Sequence, residues 1–262
     1  MRIDSHIHGN PANLVSPKKH RAACKKAGID GVVLISREKD GLFEAVEKMG
    51  DFIIPVATVD MDRVGVEGIH RLLDRGAAGI KFIAPRHAYR DERYYPLYEA
   101  IRERERVAVF HTGYLMHTPD YNPKYRAGID DMRAAHLDTI LRWVPGMKVL
   151  MAHYGNPYWE ECWKVSISHP NLYADLSGGT AIHRSMLFWR ETFAPNGKLS
   201  VAAMEHLCFG TDLSYFPKGD GTDPRIAEYI DFYERLFDQT GTPKALQEKV
   251  NSGNVLALFG RK

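Results

Sequence analysis

Eight short apolar runs, each followed by a stretch with helical spacing, constrain this chain more than any other feature. The runs cover residues 4–8, 30–36, 53–59, 78–83, 107–111, 148–153, 171–176 and 206–212. Continuous β-branched and aliphatic runs bounded by turn residues, rather than an in–out alternation, mark strands covered on both faces, as in a parallel sheet. Helical patterns fall between them at 17–27, 42–49, 66–74, 95–104, 132–143, 159–166 and 181–192, and the tail carries further apolar stretches at 224–237, 243–250 and 254–259. Ser16 stands as an N-cap ahead of Pro17, and Gly28 ends the first helix. Ile69, Leu72 and Leu73 give the third helix an inner side, and Pro55 falls near the start of its run, where a strand tolerates it.

Eight strand–helix units in 262 residues match a (β/α)8 TIM barrel, typically about 250 residues long. An open doubly wound sheet is the alternative. That topology usually announces its ligand site by a Gly-x-Gly-x-x-Gly first turn, whereas the first turn here reads His6-Ile7-His8-Gly9-Asn10-Pro11. The expected architecture is an α/β barrel in a single domain covering residues 1–262, since no shift in composition marks a second.

With 44% hydrophobic and 26% charged residues, the chain has the makeup of a globular protein with a substantial core. Its 35 basic and 33 acidic residues leave a net charge of +2, and the basic pairs Lys18-Lys19 and Lys25-Lys26 are short. No nucleic-acid or membrane-surface footprint is expected from that balance. No apolar run approaches a bilayer-spanning length, and Met1-Arg2-Ile3 is too short for a leader, so the cytoplasm is the expected compartment. Cys24, Cys162 and Cys208 are far apart, form no Cys-x-x-Cys pair, and read as reduced, buried thiols.

A barrel gathers its functional groups at the C-terminal ends of its strands. His6 and His8 end the first run, His111 the fifth, His153 the sixth and Asp212 the eighth. Two histidines two residues apart on a strand point to one face and can grip one metal ion.

The motifs Asp4-x-His6-x-His8, Phe110-His111-Thr112-Gly113, Ala152-His153-Tyr154-Gly155 and Phe209-Gly210-Thr211-Asp212 resemble the amidohydrolase superfamily, in its amidohydrolase-2 branch. The likeness covers nearly the whole chain, including residues 171–178 and 254–260. It implies that His6, His8, His111 and Asp212 hold one divalent metal ion, zinc first, with manganese or iron as alternatives. It also implies that His153 is the acid/base residue. Water beside such an ion has its pKa lowered to about 7. Asp212 would take its proton while His153 polarises the substrate carbonyl or relays that proton. Asp4 shares the face of His6 and His8 by simple alternation but lies deeper, and is expected to support rather than ligate.

Lys81, on the fourth run, would bridge two ions as a carbamate in the two-metal relatives; in the one-metal branch resembled here it is expected to supply charge to a substrate. Arg86 and Arg90, in the loop after that run, are candidates for receiving a carboxylate. His117, in the long segment after the fifth run, is a further candidate substrate contact, with His183, Arg184 and Tyr215 behind it. The expected function is a metal-dependent hydrolase acting on a small, carboxylate-bearing ester, lactone or amide. One alternative is a non-oxidative decarboxylase of an unsaturated or aromatic carboxylic acid, which would use the same ligands. Some aromatic-acid decarboxylases of the branch resemble Glu-x-His or Glu-x-Ala where this chain has His6-Ile7-His8, which counts against a resorcylate-type decarboxylase and leaves an aminocarboxymuconate-type one open. A non-catalytic metal- or ligand-binding barrel is the other alternative, and the presence of both His153 and Asp212 argues against it. The expected partner is a small-molecule substrate, with self-association into a homo-oligomer left open.

Overall fold

The computed structural model describes residues 1–9, 16–116, 127–215 and 222–261. Seven strands lie side by side in chain order: β1 (Ile3–His8), β2 (Gly31–Ser36), β3 (Ile53–Thr58), β4 (Gly79–Phe82), β5 (Val107–His111), β6 (Lys148–Ala152) and β7 (Leu172–Asp175). All neighbours pair in parallel. Two short pieces fill the eighth position, β8 (Leu207–Cys208) against β7 and β9 (Leu213–Ser214) against β1. Between them the main chain still closes the ring, the Ser5 N–H donating to Phe209 O at 2.8 Å and the Asp212 N–H to His6 O at 2.7 Å. The result is a (β/α)8 TIM barrel in one domain. Its eighth strand is split where one run over 206–212 was expected, because Asp212 takes a left-handed φ of 65° and cannot continue a strand.

Six helices follow the first six strands in turn: α1 (Pro17–Lys26), α2 (Leu42–Met49), α3 (Gly65–Asp74), α4 (Tyr95–Glu103), α5 (Ala135–Trp143) and α6 (Trp159–Ser166). The Ser16 hydroxyl caps α1 by accepting the Lys19 N–H. After β7 the chain makes two helices, α7 (Gly179–Ile182) and α8 (Met186–Phe193), in place of the one expected over 181–192. Ser185 is the cause: extended and capping α8 by accepting the Phe188 N–H at 3.2 Å, it starts a new helix. α9 (Val201–Glu205) precedes β8, and α10 (Ile226–Thr240), α11 (Lys244–Glu248) and α12 (Asn254–Leu258) complete the chain. Among the described residues no helix is long and apolar enough to cross a membrane.

Side-chain parity builds two cores. Val33, Ile35, Ile54, Val56, Val107, Val109 and Leu150 fill the barrel interior, while the intervening Val32, Leu34, Ile53, Ala57, Ala108 and Val149 pack outward under the helices. Val255 and Leu258 of α12, with Phe259, join the inner set. One step beyond these apolar layers, the inward parity of β4, β5 and β7 reaches Lys81, His111 and Asp175. In β1 that parity breaks. Asp4 pairs with Val32 but Ile7 pairs with Leu34, so three steps on β1 match two on β2, which is a β-bulge. Asp4 therefore does not share the face of His6 and His8, as simple alternation implied; it turns outward, towards Thr211 and Tyr215.

The approach of the β5 and β6 ends depends on Gly113. Its φ is +88°, and an added Cβ would stand 1.9 Å from Asn156 O, whereas Gly146, at +83°, has nothing within 4 Å. Gly113→Ala should cost about 3 kcal/mol or more, combining left-handed strain with overlap against fixed backbone. That corresponds to a melting temperature lower by roughly 6–12 °C. Gly146→Ala should cost only about 1–2 kcal/mol. Thermal unfolding of the two variants makes the comparison, and equal losses would show that the contact with Asn156 is not limiting.

Candidate metal centre at the mouth of the barrel

His6 and His8 rise from the C-terminal end of β1 with their Nε2 atoms 3.2 Å apart. Asp212 Oδ1, from the break in the eighth strand, lies 3.4 Å from His6 Nε2 and 3.0 Å from His8 Nε2. The other ring nitrogens are tied elsewhere: His6 Nδ1 is 3.3 Å from Asp175 Oδ2, and His8 Nδ1 is 3.2 Å from Ile35 O. A carbonyl or an ionised carboxylate can only accept, so each Nδ1 carries a proton, and in the neutral form that binds metal each ring presents a bare Nε2 to the cavity. In that form two lone pairs and a carboxylate oxygen converge, an arrangement that a cation would complete. Ligands about 2.0–2.1 Å from one tetrahedral ion stand about 3.3 Å apart. The donor set fits a divalent ion on both counts, and the contacts to Asp175 and Ile35 are the kind that orient metal-binding imidazoles.

His153, just beyond β6, holds a left-handed φ of 68°, as Asp212 does. Such strain persists in a non-glycine residue only where its surroundings dictate it. The His153 ring centroid lies 4.8 Å from that of His6 and 4.5 Å from that of His111. Metal-capable atoms of His6, His153 and Asp212 all fall within 4.8 Å of one another. His153 Nδ1 is held at 3.2 Å from Ser177 O and 3.0 Å from Ser177 Oγ. His111 is turned differently, its Nε2 lying 3.3 Å from Tyr114 O and donating to it. The structure thus brings His6, His8 and Asp212 into direct contact, sets His153 beside them and packs His111 against His153.

Burial fixes the charge states. Enclosure pushes His6 down to about 3, assisted by the Lys81 charge and opposed by Asp175. Burial lowers His111 and His153 as well. For Asp175 and Asp212 burial works upward, but the histidines around them outweigh it and hold both well below the usual carboxylate range. Neutral imidazoles and ionised carboxylates are the forms that bind metal. Lys81 Nζ is buried, the residue being 1% exposed, and has no hydrogen-bond partner among the described residues. Burial brings its pKa down to about 8, against the attraction of Asp175 and Asp212.

Asp4 is a brace rather than a donor to this cluster. Its Oδ1 accepts the N–H groups of His6 and Thr211 at 3.0 and 3.1 Å. Its Oδ2 accepts the hydroxyls of Thr211 and Tyr215 at 2.7 and 2.6 Å. Burial nevertheless pushes this carboxyl up to about 7. Tyr215 therefore serves Asp4.

Arg86 and Arg90 are exposed. Between them Tyr89 is buried, its hydroxyl at 3.1 Å from Phe82 O and 3.0 Å from His111 O, and Arg90 lines a surface hollow with Ala88, Asp91 and Glu92. His117 lies outside the described residues. His183 and Arg184 are exposed, the Arg184 guanidinium standing 5.3 Å over the Phe188 ring. Two residues that the sequence reading left without a role sit at the heart of the site: Asp175, bonded to His6, and Ser177, between His6 and His153. Asp175 ends β7 as His111 ends β5, but the seventh run was read through Leu176, one residue too far for the strand-end rule to single Asp175 out.

The architecture is shared with solved structures. An uncharacterized TIM-barrel protein from Bordetella bronchiseptica is 17% identical over 99% of both chains, with a TM-score of 0.72. A probable 2-pyrone-4,6-dicarboxylic acid hydrolase from Acinetobacter baumannii, with citric acid bound, is 14% identical over 99% of both chains at a TM-score of 0.61. A dihydroxybenzoic acid decarboxylase from Polaromonas sp. JS666, with bound manganese and 2-nitroresorcinol, is 14% identical, covering 99% of this chain and 96% of that one at a TM-score of 0.62. At such identities these likenesses bear on the fold. No curated protein matches the chain. Residues 3–261 match the amidohydrolase-2 family model, described as Amidohydrolase, and the chain belongs to that family.

Proposed function

We propose that this protein is a metal-dependent hydrolase of a small, carboxylate-bearing ester, lactone or amide. The observation that carries the reading is the convergence of His6 Nε2, His8 Nε2 and Asp212 Oδ1 within 3.0–3.4 Å of one another, with His153 alongside. His6, His8 and Asp212 would hold one divalent ion, with His111 joining them in exchange for its contact with Tyr114. Zinc is the first choice for this nitrogen and oxygen donor set, with manganese or iron as alternatives. When bound, such an ion supplies Lewis-acid charge that polarises a carbonyl and brings the pKa of water to about 7. Asp212 accepts a proton from the attacking water. His153, its Nδ1 proton held at Ser177, takes that proton on Nε2 and delivers it to the leaving oxygen or nitrogen. Lys81 offers its unpartnered ammonium to the substrate carboxylate, a charge-assisted contact that offsets its own burial.

Decarboxylation of an unsaturated or aromatic acid is the second reading. The Lys81 ammonium, buried among the site's carboxylates and imidazoles, favours any substrate with a carboxylate and does not by itself say whether that group stays. The relatives named above include both a hydrolase and a decarboxylase. Under this reading His153 would take a proton from solvent on Nε2 and deliver it to the carbon from which carbon dioxide leaves. Assaying the metal-loaded protein on lactones, esters and unsaturated carboxylic acids, with carbon dioxide measured alongside, separates the two. Carbon dioxide release without ring opening or ester cleavage would overturn hydrolysis.

Three variants test the roles. His8→Ala should lose both metal and turnover. His153→Asn should keep its metal within about twofold while turnover falls roughly 10²–10⁴-fold; metal loss equal to that of His8→Ala would make His153 a ligand. Lys81→Met should raise KM roughly 10–100-fold with little change in kcat, the size expected for one charge-assisted contact. The Lys81 ammonium is present below its lowered pKa and lost above it, so KM in the unaltered protein should rise as pH passes about 8. A KM for the carboxylate substrate that stays level well beyond that point would remove Lys81 from substrate binding.

A further inference from the structure

Ser177 lies between the two histidines whose roles differ. Its Oγ is 3.2 Å from His6 Nδ1 and 3.0 Å from His153 Nδ1, and it donates its own proton to Asp175 Oδ1. Asp175 Oδ1 also accepts the main-chain N–H groups of His153 and Ser177, each at 3.0 Å, while Oδ2 faces His6 Nδ1. All four residues are buried. A hydroxyl has one proton and two lone pairs. With the proton spent on Asp175, Ser177 meets both imidazoles as an acceptor.

The neighbouring geometry leaves this hydroxyl a specific task. Gly178, at φ +88°, would place a Cβ 3.2 Å from His153 Nδ1, so the next residue is bare where the ring sits and Ser177 supplies the side-chain contact. His153 itself, left-handed and pinned through its N–H to Asp175, depends on its surroundings for its aim.

We infer that Ser177 is a positioning residue: by accepting from His153 Nδ1 and donating to Asp175, its hydroxyl aims His153 Nε2 into the cavity and ties it to the carboxylate that also holds His6. The consequence for turnover rests on the proposed role of His153, whereas the tautomer does not.

The metal-free protein, labelled with nitrogen-15 histidine, gives the test through long-range proton–nitrogen spectra, with His153→Asn identifying the His153 signals. In the unaltered protein His153 should carry its proton on Nδ1 and leave Nε2 bare. Ser177→Ala leaves the Ser177 main-chain carbonyl, 3.2 Å from His153 Nδ1, as the remaining acceptor, so the Nδ1–H preference should weaken and admit a measurable share of the Nε2–H form, and Ser177→Thr should restore the original pattern. Metal uptake by Ser177→Ala should stay within about twofold, because Asp175 still holds His6, while kcat on a working substrate falls roughly 10–100-fold at constant KM. A proton on His153 Nε2 in the unaltered protein, or an unchanged His153 pattern in Ser177→Ala, would overturn the inference. Ser177→Cys provides the same comparison should the alanine variant not fold. If no substrate turns over, the spectra still decide the role of Ser177; if the spectra fail while His153→Asn abolishes turnover, the hydrolase reading stands without it.

Discussion

The site depends on the Asp175 carboxylate, a fully buried charge at the end of β7. A buried carboxylate is tolerable only when its lone pairs are taken, and here an imidazole, a hydroxyl and two main-chain N–H groups take them. Each donor belongs to a part of the mouth that must be placed: β1 through His6, the turn after β6 through His153, and the segment after β7 through Ser177. Satisfying one charge therefore fixes three segments against one another. It also sets the His6 proton on Nδ1, which leaves Nε2 bare beside His8 and Asp212.

Much of this architecture was legible in the chain because burial on both faces leaves an unmistakable mark. Val32-Val33-Leu34-Ile35 has no polar residue to spend on solvent, and its alternate members serve the inner and outer cores. The strand-end rule likewise placed His6, His8, His111, His153 and Asp212 near one mouth, although strand parity alone accounts for His111, while His153 and Asp212 turn in through left-handed residues just past regular strand.

What stayed hidden was set by distant partners. The bulge in β1 and the left-handed turn at Asp212 are sustained by bonds from Asp4 to Thr211 and Tyr215, more than 200 residues along the chain. Locally Phe209-Gly210-Thr211-Asp212 reads as strand. Between Arg86 and Arg90, the buried Tyr89 anchors its loop to Phe82 O and His111 O, a pair of contacts that no local spacing records. Ser177 was invisible for a different reason: its meaning lies in meeting two rings from separate strands, which no spacing in the sequence records.

The split eighth strand is the seam of the barrel, the place where the start of the chain meets its last quarter. The same main-chain bond that closes the seam, from the Asp212 N–H to His6 O, brings the Asp212 carboxylate to the histidines. Few regular strand pairs close the ring there, and an ion held between β1 and Asp212 would act as a clasp on it. Loading the site would then be coupled to closing the fold: occupancy and integrity of the barrel would rise together, with the donor set assembled only once β1 and the segment around Asp212 have met.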